Sequence, residues 1–90
     1  MITINGFQEV NAFKLSKDMT DALNNQKVRK VDIAYKLRTT TQTIDNAFTV
    51  VDRVRMKAAD RTVCKVAKYL GLHVIVVENE KKQYFINYKK

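Results

Sequence analysis

Lys30 to Val51 reads KVDIAYKLRTTTQTIDNAFTVV, and the expected fold depends mainly on this stretch. Apolar residues recur at helical spacing over Lys30–Leu37 and predict a short helix there. The threonine run at 39–41 predicts a break, because threonine hydroxyls compete for backbone groups and β-branching restricts the side chain. Thr40 is then the expected N-cap of a second helix, from Thr41 to about Val51. The stretch therefore predicts two short helices joined by a tight turn.

The second of these helices separates its polar residues from its apolar ones. Ile44, Ala47 and Phe48 fall on one side. The other side carries Thr41, Gln42, Thr43, Asp45 and Asn46. Glutamine and asparagine amides can each pair with adenine through two hydrogen bonds, and threonine offers a hydroxyl together with a methyl that suits thymine. Two short helices of this kind form a helix-turn-helix candidate for reading double-stranded DNA. The threonine-rich segment 39–43 could alternatively be an ordinary turn between helices.

Towards the N-terminus the sequence predicts a strand and a helix. Residues 1–5 alternate between apolar and polar side chains, as in a short strand. Residues 7–15 suit either one helical turn or an extended arm. Ser16 is the expected N-cap of a helix over about 17–25, with an acidic residue in its first turn where it favours the helix dipole.

Towards the C-terminus the sequence predicts a further helix and a β-hairpin. The apolar spacing over about 60–70 indicates a helix, and Gly71 is placed to end it with a positive φ. Two runs rich in β-branched and aromatic residues, 72–77 and 84–88, flank a polar segment and predict the hairpin. The chain is thus expected to form a single, mostly α (α+β) domain. Its parts are an N-terminal arm or strand (1–15), a helical core of four to five helices (16–71) and a C-terminal β-hairpin (72–90).

The net charge of +8 over 90 residues is unevenly distributed. Residues 1–26 carry two basic and three acidic side chains, whereas residues 27–90 carry 15 basic and six acidic ones. A cationic excess of this size attracts polyanions such as nucleic acid. A solvated lysine-rich surface is the alternative interpretation.

Composition provides little material for catalysis or metal binding. One Cys and one His cannot make an internal disulfide or a cysteine-based zinc site, and there is no glycine-rich phosphate loop. We therefore expect no enzyme activity, no metal and no cofactor. The longest apolar run, residues 74–77, is far shorter than the ~20 residues of a membrane span. The scarcity of cysteine is typical of a cytoplasmic protein, either associated with the nucleoid or, if phage-encoded, in the host cytoplasm.

Two segments carry a family resemblance. Residues 32–44, DIAYKLRTTTQTI, resemble the helix-turn-helix of the phage repressor and Cro-like (XRE) family, whose pattern reads xLAxKLGxSxQTIS. Residues 62–72, TVCKVAKYLGL, resemble the later helix of that family, TLxKIAxALGV. The resemblance covers about residues 16–74 and implies a repressor-like helix-turn-helix domain.

The resemblance also implies roles for individual residues. Base reading would fall to Thr41, Gln42 and Asn46, with Thr43 and Asp45 at the edge of the reading surface. Contacts to DNA phosphates would come from Arg29, Lys30, Arg38, Thr40, Arg53, Arg55, Lys57 and Arg61. The sequence departs from the family at Arg38, where glycine is usual, and at residues 49–51, where Glu-Asn-Gly is usual. The segment 49–60 is therefore expected to be remodelled, with an extension of the helix as one form.

A helix-turn-helix gains affinity when two copies read two half-sites, so a homodimer is expected. The predicted contact is the last strand, through Tyr84, Phe85, Ile86 and Tyr88, pairing either with the same strand of a second copy or with residues 2–5. A DNA-contacting wing at residues 80–82 and a site for a partner protein are the alternatives for the hairpin. The expected function is sequence-specific binding of double-stranded DNA as a transcriptional regulator, of repressor type and phage-encoded. The alternative is a protein-interaction module on the same scaffold, such as an antitoxin or an anti-CRISPR protein. No membrane partner is expected.

Overall fold

The computed structural model describes residues 3–4, 6–78 and 80–87. Four helices and six strands follow one another in these residues. In chain order they are β1 (Thr3–Ile4), β2 (Phe7–Val10), α1 (Ala12–Asn25), α2 (Lys30–Leu37), α3 (Thr41–Asn46), β3 (Val50–Val51), β4 (Arg55–Met56), α4 (Asp60–Tyr69), β5 (His73–Glu78) and β6 (Lys82–Asn87). The predicted α+β class is confirmed, as is the C-terminal pair of antiparallel strands.

The larger sheet has four antiparallel strands in the order β1-β2-β6-β5. Strands β5 and β6 pair from His73 opposite Asn87 to Glu78 opposite Lys82 without a bulge. Strand β2 pairs with the other side of β6, where Glu9 lies opposite Phe85. The N-terminal strand β2 therefore lies in the middle of the sheet, beside the last strand of the chain.

The beginning of α1 differs from the prediction. The helix starts at Ala12 rather than near residue 17, because the Asn11 side chain accepts the Lys14 N–H at 2.7 Å and caps it. Ser16, the predicted N-cap, lies inside the helix, and its hydroxyl donates to the Phe48 carbonyl at 2.6 Å. Residues 7–15 thus divide into an extended strand and the first turn of a helix, so each of the two predicted alternatives, a helical turn and an extended arm, is correct for part of the segment.

The segment after α3 also differs. The predicted helix to Val51 ends at Asn46, and Val50 and Val51 form β3, paired with β4 in a small hairpin. Its turn residues, Asp52 and Arg53, both have positive φ, of 55° and 62°, and the Val54 N–H donates to the Val51 carbonyl at 3.2 Å. Two positive φ angles at the centre of a hairpin turn match the right-handed twist of the strands. The remodelling of residues 49–60 thus takes the form of a hairpin rather than a longer helix.

The core lies between the helices and one face of the larger sheet. Helix residues Leu15, Ile33, Ile44 and Val66 and sheet residue Ile86 are fully buried in one cluster. Ala34, Val66 and Leu70, which belong to the apolar residues at helical spacing over 30–37 and 60–70, all lie in it. Burial of this apolar surface is the main stabilising contribution to the fold.

The predicted dimer contact through the last strand is wrong for this fold. Strand β6 has a neighbouring strand on each side within the chain, and residues 84–86 pair with both of them. Tyr84, Phe85 and Ile86 are all at most 2% exposed. Tyr88, the fourth residue of that prediction, lies outside the described residues.

Candidate nucleic-acid interface

Helices α2 and α3 pack against each other and, with the turn 38–40, form what we call the two-helix unit (Lys30–Asn46). The unit begins at a tight charged cap. The Arg29 guanidinium donates two hydrogen bonds to the Asp32 carboxylate, at 3.1 and 3.2 Å, and the Arg29 backbone N–H donates to the same group at 3.2 Å. These bonds hold the pKa of Asp32 below its usual range and raise the pKa of Arg29. Arg29, a predicted phosphate contact, is therefore exposed but already paired with a carboxylate.

The turn of the unit is set by Arg38. This residue takes the left-handed conformation, with φ 57° and ψ 48°. Its N–H donates to the Tyr35 carbonyl at 3.3 Å, and the Thr39 N–H donates to the Ala34 carbonyl at 2.9 Å. These two bonds are those of a Schellman helix end, in which glycine normally occupies the left-handed position. The turn thus has the geometry of a Schellman helix end, although the left-handed position is occupied by Arg38, whose side chain makes this conformation unfavourable.

Helix α3 begins at the predicted N-cap. The Thr40 hydroxyl accepts the Thr43 N–H at 3.1 Å and lies 2.9 Å from the Thr43 hydroxyl. Ile44 is buried against the rest of the fold, and Thr41 and Gln42 are exposed in the first turn. The helix therefore presents uncharged polar side chains to solvent from its first turn.

Two predicted base-reading residues are bonded to each other. The Gln42 side-chain amide donates to Asn46 Oδ1 at 3.0 Å, one helical turn away. An amide carries two N–H donors and one acceptor oxygen. Gln42 therefore keeps one N–H and its Oε1 for another partner while Asn46 fixes its orientation.

Lys30 joins the start of α2 to α3. Its ammonium lies 2.7 Å from Asp45 Oδ1 and 5.0 Å from the centre of the Phe48 ring. The hydrogen bond and the charge of Lys30 hold the pKa of Asp45 below its usual range. An ion pair between Lys30, a predicted phosphate contact, and Asp45, a predicted base reader, therefore links the start of α2 to α3.

The remaining predicted phosphate contacts lie on or near the β3–β4 hairpin. Arg53 is at its turn, and Arg55 forms a long ion pair with Asp52 at 3.7 Å. Lys57 follows the hairpin, and Arg61 is in the first turn of α4; both are exposed. Within the described part of the chain, four of the seven cations among the predicted contacts form no ion pair: Arg38, Arg53, Lys57 and Arg61.

Two contacts that the sequence patterns do not indicate connect the segment after α3 to the rest of the fold. Ser16 binds the carbonyl of Phe48, just after the helix. Tyr84, buried in the sheet, accepts the Met56 N–H at 2.9 Å through its hydroxyl. Both join residues that are far apart in sequence, so no local spacing could have revealed them.

Among residues 3–4, 6–78 and 80–87, no group of three or more His, Cys, Asp or Glu side chains could hold a metal ion. The Cys64 thiol is half-buried, and burial, together with the charge of Asp60, raises its pKa. Within the same residues, no helix is both long enough and apolar enough to cross a membrane.

No protein-family model, curated protein or solved structure matches this chain.

Proposed function

We propose that the two-helix unit is a helix-turn-helix that reads the major groove of double-stranded DNA, and that the protein is a transcriptional regulator of repressor type. The observation that carries the proposal is the exposed face of α3, where Gln42 is oriented by Asn46 and flanked by Thr41. Such a regulator would act where the genome is, in the cytoplasm of a bacterium or of a phage-infected host.

The dimensions and chemistry of α3 suit this role. An α-helix with its side chains is about 10–12 Å across, which suits a major groove about 12 Å wide. The six residues of α3, at 1.5 Å each, extend over roughly 9 Å. The free N–H and Oε1 of Gln42 are the donor and acceptor that pair with N7 and N6 of adenine. Neighbouring threonines can contact thymine methyl groups without adding charge.

Exposed cations in the segments before and after α3 in the sequence support contacts to the DNA backbone. Arg38 precedes the helix, and Arg53 and Lys57 follow it, all exposed. Phosphate contacts require charge and reach, and they position a protein on DNA without reading bases. Lys30 is better described as a structural residue, because Asp45 already holds its ammonium.

The test compares Gln42→Ala with wild type on a duplex selected for binding and on a scrambled duplex, at about 150 mM salt. Loss of one bidentate base contact should weaken binding to the selected duplex by about 1–3 kcal/mol and leave the scrambled duplex unchanged. Gln8→Ala, at an exposed glutamine in β2, is the matched control. Lys57→Ala should weaken binding to both duplexes alike. Equal weakening of both by Gln42→Ala would contradict base reading by α3.

A protein-interaction module on the same scaffold is the second candidate. The observation that favours it is the outer side of α2, where Tyr35 is 88% exposed and Val31, one turn earlier, is 48% exposed. Exposed apolar side chains close together can mark a protein contact. Binding to no DNA sequence above background would favour this candidate, and in that case Tyr35→Ala should remove partner binding.

A further inference from the structure

Strand β5 is a long edge of the larger sheet. It pairs with β6 on one side, and no other described strand lies beside it. The opposite edge, β1, has only two described residues. A strand edge exposes unpaired N–H and C=O groups, which act as a template for another strand.

The centre of this edge lacks the usual features that prevent pairing. Its sequence is HVIVVE, so four β-branched apolar residues stand between His73 and Glu78. The strand contains no lysine and no proline, and its register with β6 has no bulge. Natural edge strands that remain unpaired typically carry such features.

Ile75 marks the same edge from the outer side of the sheet. Val74 is buried towards the helices, so Ile75, its neighbour, points to the opposite face, where it is 39% exposed. A large apolar side chain half-exposed beside an unpaired backbone edge would lose much of its contact with water if a second strand were added.

We propose that two copies of this chain pair antiparallel through their β5 strands, about a two-fold axis at Ile75, to form one eight-stranded sheet. The identity of the partner follows from self-complementarity, because the centre of the edge is apolar and uncharged on both copies. Its titratable groups, His73 and Glu78, stand at the ends of the strand. This pairing does not depend on the proposed function. Only the expectation that a two-fold symmetric dimer binds an inverted repeat in DNA rests on that function.

The pleat of the strand limits the register. Side chains opposite each other must lie on the same face of a sheet, so a pairing that keeps the helices of both copies on one side joins odd residues to odd ones and even to even. With the axis at Ile75, Val74 lies opposite Val76 of the second copy, and both face the helices. With the axis at Val76, Val74 would instead lie opposite the carboxylate of Glu78. The first register keeps the inner face apolar.

Sedimentation equilibrium of the whole chain without DNA tests the dimer. We expect a reversible dimer below about 100 µM protein, and Ile75→Lys should raise its dissociation constant at least tenfold. Phe13→Lys is the matched control, because Phe13 is a similarly exposed apolar residue on α1. Circular dichroism confirms that both variants fold. A wild type that stays monomeric, or an equal effect of both substitutions, would overturn the proposal.

Cysteine cross-linking tests the register in a Cys64→Ala background. Ile75→Cys places two thiols directly opposite each other across the axis and should give a disulfide-linked dimer on mild oxidation. Val77→Cys, opposite His73 of the second copy, should cross-link much less. Stronger cross-linking of Val77→Cys than of Ile75→Cys would contradict the register, and so would the absence of cross-linking in both variants. If the wild type forms this dimer but binds no DNA sequence specifically, that result contradicts only the proposed function.

Discussion

Three helices end on the same backbone motif, but with different residues at the left-handed position. Lys27 ends α1, Arg38 ends α2 and Gly71 ends α4, with φ of 55°, 57° and 82°. Each has the backbone hydrogen-bond pair of a Schellman motif. A left-handed conformation costs a residue with a side chain roughly 1–2 kcal/mol. Arg38 is thus a locally unfavourable choice, which is consistent with a role for its side chain outside the fold.

Arg38→Gly should make the protein more stable and a weaker DNA binder. Removal of the strain, partly offset by the greater freedom of glycine in the unfolded chain, should raise the free energy of unfolding by about 0.5–1 kcal/mol. Loss of one phosphate contact should lower the dependence of log K on log salt by about 0.9. Urea unfolding and salt titrations measure the two effects. Arg38→Ala keeps the strain and loses the same charge, so equal stability of the two variants would contradict the strain.

Tyr84 makes the free energy of unfolding depend on pH in the alkaline range. Burial raises the pKa of its phenol, and the Met56 N–H opposes that rise. Because the folded-state pKa lies above the unfolded one, the contribution of Tyr84 is fully present below about pH 10 and is lost as the pH rises through the folded-state value.

Tyr84→Phe should lower the free energy of unfolding by about 1–2 kcal/mol at pH 7, because a buried backbone N–H loses its acceptor. The difference from wild type should shrink above about pH 10. Chemical unfolding measured at several pH values provides the check. Tyr35→Phe, at an exposed tyrosine, is the control and should change neither quantity. A difference that stays constant with pH would contradict the role assigned to the phenol.

At the scale of elements, α3 depends on its cap. A six-residue helix has few internal hydrogen bonds, so the bond from the Thr43 N–H to Thr40 is a large share of its stabilisation. Thr40→Ala should cost about 1 kcal/mol, whereas Thr40→Ser keeps the hydroxyl and should be nearly neutral. Thermal unfolding of both variants measures the difference. Equal melting temperatures would show that packing alone defines the start of the helix.

The sequence predicts those elements whose signals are local. Helix α2 and the Thr40 cap are confirmed as predicted, because apolar spacing and capping chemistry act within a few residues. The hairpin β3–β4 could not be predicted, since its turn uses Asp52 and Arg53 where Asn-Gly is the usual signal. The place of β6 between β2 and β5 depends on pairing across more than 70 residues, which no local pattern encodes.

For the candidate site, residue types could be predicted but not their pairing. The polar face of α3 follows from helical spacing alone. The capture of Asp45 by Lys30 does not, because it depends on the crossing of two helices and on the place of the Phe48 ring. This contact joins two predicted DNA contacts to each other, one at the start of α2 and one in α3.

At the scale of the whole molecule, charge and symmetry belong to different surfaces. The cations without an ion partner in the described residues include Arg38, just before α3, and Arg53 and Lys57, in and after the β3–β4 hairpin, whereas the centre of the β5 edge is uncharged. Salt should therefore weaken DNA binding, since counterions compete for the phosphates. It should not weaken a β5 dimer, because screening lowers the repulsion between two chains of charge +8.

Base reading by α3 is tested most directly by selecting bound duplexes from a random double-stranded DNA pool, in parallel with wild type and Gln42→Ala. Wild type should enrich one short recurring motif, and Gln42→Ala should lose the preference at an adenine position within it. A motif arranged as an inverted repeat would add the two-fold symmetry expected of the dimer. A wild-type pool that remains as random after selection as before it would contradict sequence-specific DNA recognition by this protein.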